Sequence, residues 1–343
     1  MENVFKNLHT NQKILIYELL RRGIYVEVID EKLELIKATF KEHQELIYDR
    51  DSSITPYHVS VLAGNKGIAK RILSQNGISV PLGEVFKAKE KASIIKAFEL
   101  LDGPVVLKPV HGSHGYDVYL NLKKIEEIES TLFMLEERYG SEAPILIEEF
   151  FDAKEYRVFL TKAFKYAVLH RDPAYVIGDG IHNIGQLIEI ENDRRMHPRT
   201  NALCEILIDH EMDRYLEEVG ISRNFIPALG KKVYVRRNSN VAMGGVCLDK
   251  TDEVDRSVIE IGKRVLDSFP GLPYVGIDFM TKDISLVQTE DSYRVIEVNT
   301  VPGLQMHHRP AIGVSRNVAS YIVDLMFPET VERENVYGKE WTK

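Results

Sequence analysis

"VIEVNTVPG", residues 295–303, sets a carboxylate and a carboxamide two positions apart in an otherwise apolar run. Side chains alternate along a strand, so Val295, Glu297 and Asn299 are expected on one face and Ile296 and Val298 on the other. A carboxylate on a core strand is costly unless it is paired or holds a cation. The preceding apolar stretch, "YVGIDFM" (274–280), carries Asp278, which sits beside Glu297 if the two strands pair. Asp278, Glu297 and Asn299 offer hard oxygen donors, which suit Mg²⁺ or Mn²⁺ rather than zinc. Mg²⁺ held by few protein oxygens completes its shell with water and phosphate, so the cluster asks for a nucleotide. A solvated or salt-bridged glutamate is the plain alternative.

Upstream, Lys108 lies in the apolar "VVLKPV", directly before "HGSHG" (111–115). A lysine there can project its charge towards phosphates, while Gly112 and Gly115 let backbone N–H groups approach an anion. A simple hairpin connection is the alternative. The segment lacks the GxxxxGK[ST] of a Walker A loop, and no GxGxxG opens a helix after a strand, which excludes a dinucleotide reading.

With 343 residues, the chain suits one large domain or two to three subdomains, and 44% hydrophobic residues are enough for a sizeable core. A net charge of −8 argues against a nucleic-acid surface. The two cysteines, Cys204 and Cys247, form no CxxC or Cys/His metal spacing, as in a reducing compartment. The start, "MENVFKNLHTNQ", has no apolar signal core, and no run of about 18 apolar residues is present. A soluble, cytoplasmic protein with neither a nucleic-acid nor a membrane partner is the expectation.

The periodicity divides the chain. "NQKILIYELLRRG" reads as a helix and "IYVEVID" as a strand, suggesting a small α/β cap over 1–57. "VSVLAGNKGIAKRILSQNG" reads as one helix closed by Gly77, and "DVYLNL" as the hairpin partner of "PVVLKPV". A subdomain carrying the phosphate loop is expected over 58–150. A larger one follows over 151–328, built on "ILIEEFF", "EYRVFLT", "KYAVLHR", "YVGIDFM" and "YRVIEVN", with a helical signal in "EILIDHEMDRYLEEVG". Residues 329–343 read as a polar tail. The alternation predicts an α+β protein with largely antiparallel sheets.

In order along the chain stand "GNKGIAKRIL", "VVLKPVHGSHG", "ILIEEFFDAKEYRVF", "LHRDPAYVIGDGIHNIGQLIE", "VRRNSNVAMGG", "GIDFM" and "VIEVNTVPGLQMH". This set resembles the ATP-grasp superfamily of carboxylate–amine ligases, with the ATP-grasp parts of cyanophycin synthetase and bifunctional glutathione synthetase as the nearest likenesses. The likeness runs from about Leu15 to Pro328.

It implies an ATP-grasp fold holding ATP between two subdomains, and two Mg²⁺ ions on Asp278, Glu297 and Asn299. Lys66 and Lys108 would hold phosphates, and Lys70 would be a solvated helix charge. Gly112, Ser113, His114 and Gly115 would close over the phosphates. Glu148, Glu149, Phe150 and Phe151 would form the hinge that reads adenine, and Glu155 would accept from ribose hydroxyls. Arg171 and Arg236 would face the transferred phosphoryl group, with Arg237 pointing away, and Asn240, Gly244 and Gly245 would form a turn near the acyl phosphate. D-alanine–D-alanine ligases carry an arginine two positions before the metal aspartate, where Gly276 stands here, so Arg171 or Arg236 is expected to replace it.

The activity implied is ATP-dependent amide formation between a carboxylate and an amine, through an acyl phosphate. Its substrates would be amino acids or small peptides. A regulatory nucleotide-binding module and a kinase are the rivals, and γ-glutamylcysteine–glycine ligation is the narrower alternative. Neither a Mur-ligase-like nor a glutamate–cysteine ligase half is expected in this sequence, which leaves the substrates open. Residues 189–229 and "LQMHHRP" are expected to shape the acceptor pocket, where Arg194, Arg195 and Arg199 either bind carboxylates or form a solvated face. A homo-oligomer, a dimer first, is the expected assembly.

Overall fold

The computed structural model describes residues 5–111, 117–196 and 203–333. Gly112, Ser113, His114, Gly115, Arg199 and the tail beyond residue 333 lie outside the described residues.

Helix α1 (Thr10–Arg21) leads into a three-stranded sheet, β1 (Tyr25–Asp30), β2 (Leu35–Phe40) and β3 (His43–Tyr48), and then to helices α2 (Tyr57–Gly64) and α3 (Lys66–Gln75). A smaller lobe follows, formed by β4 (Gly83–Lys87), α4 (Lys91–Leu101), β5 (Val105–Pro109), β6 (Tyr119–Leu122), α5 (Ile125–Tyr139) and β7 (Pro144–Glu149), with sheet order β4-β7-β5-β6. The larger sheet begins with β8 (Lys154–Thr161) and β9 (Tyr166–Asp172). An excursion then adds β10 (Tyr175–Ile177), α6 (Ile184–Met196), α7 (His210–Glu218) and β11 (Lys232–Tyr234). The chain returns with β12 (Val246–Asp249), α8 (Arg256–Asp267), β13 (Tyr274–Thr281) and β14 (Tyr293–Asn299), giving the order β12-β9-β8-β13-β14. Helices α9 (Gln305–His308) and α10 (Val318–Met326) close the fold. Every pairing between these strands is antiparallel, which is the α+β architecture expected.

Alternation on the central strands sorts residues between core and cleft. Tyr156, Val158 and Leu160 of β8, with Val275, Ile277 and Phe279 of β13, pack on one face against Val258, Ile261 and Val265 of α8. The opposite face carries Glu155, Arg157, Asp278 and Met280, which line an open cleft. Further along that face, Phe159 and Tyr274 join Leu15, Ile16 and Leu19 of α1 and Ile322 and Val323 of α10 in a second core. In the smaller lobe, Val105, Leu107, Ile145 and Ile147 bury against α4 and α5, which turns Val106, Lys108 and Glu148 to the cleft.

Three sequence readings need correction. The helix drawn from Val59 to Gly77 is two helices, because Asn65 takes an extended backbone and its side chain caps α3 by accepting from the Ile68 N–H at 3.1 Å. Both helices pack in the core of the larger sheet, through Val59, Ala63, Ala69 and Leu73, rather than in the smaller lobe. The helix expected from Glu205 begins only at His210, where Asp209 caps it. Upstream, Ile206 is held outside any helix by Asn192, which accepts from its N–H at 2.7 Å and donates to its carbonyl at 3.0 Å.

Arg22, fully buried, ties the N-terminal cap to the C-terminal helix. Its Nε donates to Glu18 at 2.7 Å, and its Nη groups donate to Asp324 at 2.6 Å and to the Ser320 carbonyl at 2.9 Å. Burial works to raise the Glu18 pKa, but hydrogen bonds from Arg21 and Arg22 hold it below the usual carboxylate range. Removing one partner of a buried pair strands the other charge. Arg22→Ala is therefore expected to lower stability by about 3–5 kcal/mol in chemical denaturation. A loss under about 1 kcal/mol would refute this cross-tie.

Candidate active site

The two lobes enclose a cleft of about 1250 Å³. On the wall formed by the larger sheet, Asp278 of β13 stands directly opposite Glu297 of β14, and Gly276 opposite Asn299. The strands slip by one residue here: Phe279 pairs with Val295, so Ile296 is the extra residue of a β-bulge. The bulge exchanges the faces read from sequence for Val295 and Ile296, while Glu297, Val298 and Asn299 keep theirs. Val295 and Val298 both enter the core, while Ile296, Glu297 and Asn299 line the cleft.

Asp278 is buried and faces two arginines. Arg157 Nε lies 2.7 Å from Oδ1 as an ion pair without hydrogen-bond alignment, and Arg171 Nη2 donates to Oδ2 at 3.3 Å. Arg171 also pairs with Glu155, whose other oxygen accepts from Ser239. Burial works to lower the Arg171 pKa, but the carboxylates of Asp278 and Glu155 raise it, so Arg171 stays charged. Below it, burial pushes the Cys247 thiol up to about 12, which rules it out as a thiolate nucleophile.

Arg157 is the residue that the sequence reading missed. It lies across from Asp278 on the neighbouring strand and occupies the space beside Gly276. A Cβ on residue 276 would lie 2.9 Å from Arg157 Nη1 and 2.7 Å from Pro302 Cβ. The available signal was alternation in "EYRVF", which puts Arg157 on the same face as Glu155.

Beside β14, Lys66 opens α3 with its Nζ 3.6 Å from Glu297 Oε1. Lys70, one turn on, pairs with Glu148, as does Lys108. Lys70 is thus no solvated charge: its side chain is 13% exposed. Burial works to raise the Glu148 pKa, but the Lys108 and Lys70 ammonium groups hold it below the usual range. The Glu148 carboxylate is accordingly committed to lysines. The N–H groups of Glu149 and Phe150 donate to the carbonyls of Leu82 and Pro104. Glu149 pairs with Arg294 at 2.7 Å, and Phe151 and Phe150 lie against Arg294 and Arg237. Asn240 lines the cleft and caps the turn that ends at Gly244 and Gly245.

Arg236 is a correction. β11 ends at Tyr234, so strand alternation does not extend to it, and Arg237 rather than Arg236 lines the main cleft. Arg236 is buried and donates to the Leu207 carbonyl at 2.7 Å and to Asp209 at 3.0 Å. Arg195, also buried, donates to the carbonyls of Cys204 and Gly244, so it braces the turn.

Asp278 Oδ1, buried without an aligned donor, sits beside Glu297 and Asn299, which is a donor set that fits a hard cation. No group of three or more His, Cys, Asp and Glu suited to a metal occurs among the described residues, so the rest of the shell would come from water and phosphate oxygens. No helix among the described residues is long and apolar enough to cross a membrane.

Two antiparallel lobes with lysines and an acidic pair lining one cleft are the arrangement expected of the ATP-grasp class. Residues 63–166 match the RimK-like ATP-grasp domain, and the chain belongs to the ATP-grasp superfamily, whose ligases use ATP and a divalent metal. It is 34% identical over 270 residues to a cyanophycin synthetase of Trichormus variabilis, covering 78% of this chain and 29% of that protein. It is 28% identical over 337 residues to a glutathione biosynthesis bifunctional protein of Pasteurella multocida, covering 95% and 44%. The crystal structure of a bifunctional glutathione synthetase from Pasteurella multocida superposes with a TM-score of 0.68 at 27% identity, covering 95% of this chain and 45% of that one. The chain thus spans less than half the length of these relatives.

Gly276→Ala forces Arg157 or Pro302 aside and is expected to cost about 1–3 kcal/mol through overpacking. Denaturation of the variant within about 0.5 kcal/mol of the parent would show that the site has slack.

Proposed function

We propose that the chain is an ATP-dependent carboxylate–amine ligase. The observation that carries this reading is a single cleft lined by Lys66, Lys108, Asp278, Glu297 and two buried arginines, with Lys70 paired to Glu148 beside Lys108. A carboxylate oxygen of the donor attacks the γ-phosphorus, the bond to ADP breaks, and an acyl phosphate forms. The acceptor nitrogen then attacks the acyl carbon, the C–O bond to phosphate breaks, and the amine proton passes to solvent. The likeness to a cyanophycin synthetase and a glutathione synthetase favours amino-acid or short-peptide substrates, with γ-glutamylcysteine–glycine ligation as the narrower alternative.

Asp278, Glu297 and Asn299 would hold Mg²⁺, with Mn²⁺ also compatible and two ions expected; bound there, they would neutralise phosphate charge. Lys66 and Lys108 would hold phosphate oxygens, with Lys70 joining them as Glu148 shares its charge. Arg157 and Arg171 would face the charge that spreads over the transferring phosphoryl group, a task of positioning and electrostatics. No side chain is assigned as base for the amine.

The test is phosphate release from Mg-ATP against amino acids and short peptides, singly and in pairs. Release that needs one carboxylate and one amine together is the expected result. ADP without free phosphate would favour a kinase, and ATP binding without turnover across the matrix a regulatory module. Arg157→Ala should lower kcat roughly 10²–10³-fold, with the KM for ATP little changed. An unchanged kcat would remove Arg157 from the reaction. Glu297→Ala should abolish turnover, and near-normal turnover would sink the metal assignment.

A further inference from the structure

We propose that Arg195 is a positioning residue for the phosphoryl-transfer step, acting through the Gly244 carbonyl and the 239–245 turn on the charges around Arg171. The proposal rests on the ligase reading above and adds a residue that the reading does not use. Arg195 stands in the last turn of α6 with its side chain 1% exposed, and it is not among the residues that line the cleft. Any effect it has on turnover therefore passes through the groups it binds.

Its guanidinium joins three segments. Nε donates to Glu191, one turn earlier, at 2.8 Å, and Nη1 donates to the Cys204 carbonyl at 2.8 Å and to the Gly244 carbonyl at 2.7 Å. Burial works to raise the Glu191 pKa, but hydrogen bonds from Arg194 and Arg195 hold it below the usual carboxylate range, so the anchor of the guanidinium stays charged. Asn192 of the same helix holds Ile206 by both of its backbone groups. The turn rests directly on that residue: Gly244 has a φ of +93°, and a Cβ there would lie 2.6 Å from the Ile206 Cα. One end of α6 thus holds both sides of a contact made backbone to backbone. A planar guanidinium fixed along one edge sets two carbonyls in a defined geometry, which an ammonium on a flexible stem does not.

The turn carries the position of Gly244 to the cleft. Within it, the N–H groups of Met243 and Gly245 donate to the Asn240 carbonyl at 3.0 and 3.1 Å, and Asn240 Oδ1 accepts from the Ala242 N–H at 3.0 Å. These bonds tie the turn into one unit. At its start Ser239, 4% exposed, donates to Glu155, and Glu155 shares Arg171 with Asp278. A path of contacts leads from Arg195 to the guanidinium that the reading above places at the transferring phosphoryl group. A displacement of about 1 Å, caused far from the chemistry, can cost on the order of 10²-fold in rate.

The experiment uses the full chain with Mg-ATP, a panel of carboxylate donors and hydroxylamine as the amine, so that hydroxamate reports the acyl phosphate by itself. Arg195→Met keeps an apolar stem and loses the three bonds, and Arg195→Lys keeps the charge. The expected result for Arg195→Met is a kcat lower by roughly tenfold or more, with the KM for ATP within about threefold of the parent and part of the loss recovered in Arg195→Lys. Ser239→Ala cuts the same path further along. Combined with Arg195→Met, it should lower kcat little beyond the worse single variant, whereas independent sites multiply their losses. Should Arg195→Met fail to fold, Arg195→Lys carries the same cycle with Ser239→Ala. An unchanged kcat, losses that multiply, or a KM for ATP that rises in step with the loss of kcat would overturn the positioning role and leave the ligase reading standing. A parent chain that forms hydroxamate with no donor at all would overturn the ligase reading and this proposal with it.

Discussion

The constraint that organises this molecule is the cost of burying charge on the cleft face of a β-sheet. Asp278 is 5% exposed on a central strand, where an uncompensated carboxylate would be strongly destabilising. Arg157 and Arg171 meet that cost, and each makes its own demand on the structure. Arg157 needs residue 276 to have no side chain. Arg171 needs a second carboxylate, supplied by Glu155, and Ser239 in turn binds Glu155 and draws the turn after β11 onto the cleft. A chain of compensations thus runs from one aspartate through two strands to a loop. The polar wall is held in place by the protein's own groups, which is the arrangement that makes electrostatic stabilisation effective.

The lysine wall follows the same rule and also joins the lobes. Lys70 sits on α3, which packs in the core of the larger sheet, whereas Glu148 and Lys108 belong to strands of the smaller lobe. The Lys70–Glu148 ion pair therefore crosses between the lobes, and so does Glu149 to Arg294 of β14. Between α7 and β6, Arg214 binds the Leu120 carbonyl and Asn121 binds Glu218. A phosphate that drew Lys70 away from Glu148 would compete with a link between lobes. Ligand binding and lobe closure thereby draw on one set of charges.

Much of this was legible in the residues. Alternation and turn signals identified the strands of the larger sheet, and Asp278, Glu297 and Lys108 declared themselves as charges inside apolar runs. What escaped depends on pairing that one strand cannot reveal. The bulge at Ile296 exists only as a register between β13 and β14. The burial of Lys70 depends on Glu148, 78 positions away, and helical spacing alone makes such a lysine look solvated. Arg236 and Arg237 were assigned to faces as though a strand continued, but β11 had ended.

The packing of Arg157 over Gly276 shows what reading along a single strand leaves out. Read along β13, the glycine looks like the loss of an arginine next to the acidic site. Read across the sheet, the guanidinium beside Asp278 comes from the neighbouring strand, and residue 276 leaves the space it occupies. The electrostatic requirement concerns distance to the Asp278 carboxylate, and adjacent strands, about 4.8 Å apart, supply that as well as residues two apart on one strand. A positive charge fixed beside the carboxylate is what the site requires, and either strand can deliver it. The residue that gives way must then be glycine, because two side chains cannot share the volume.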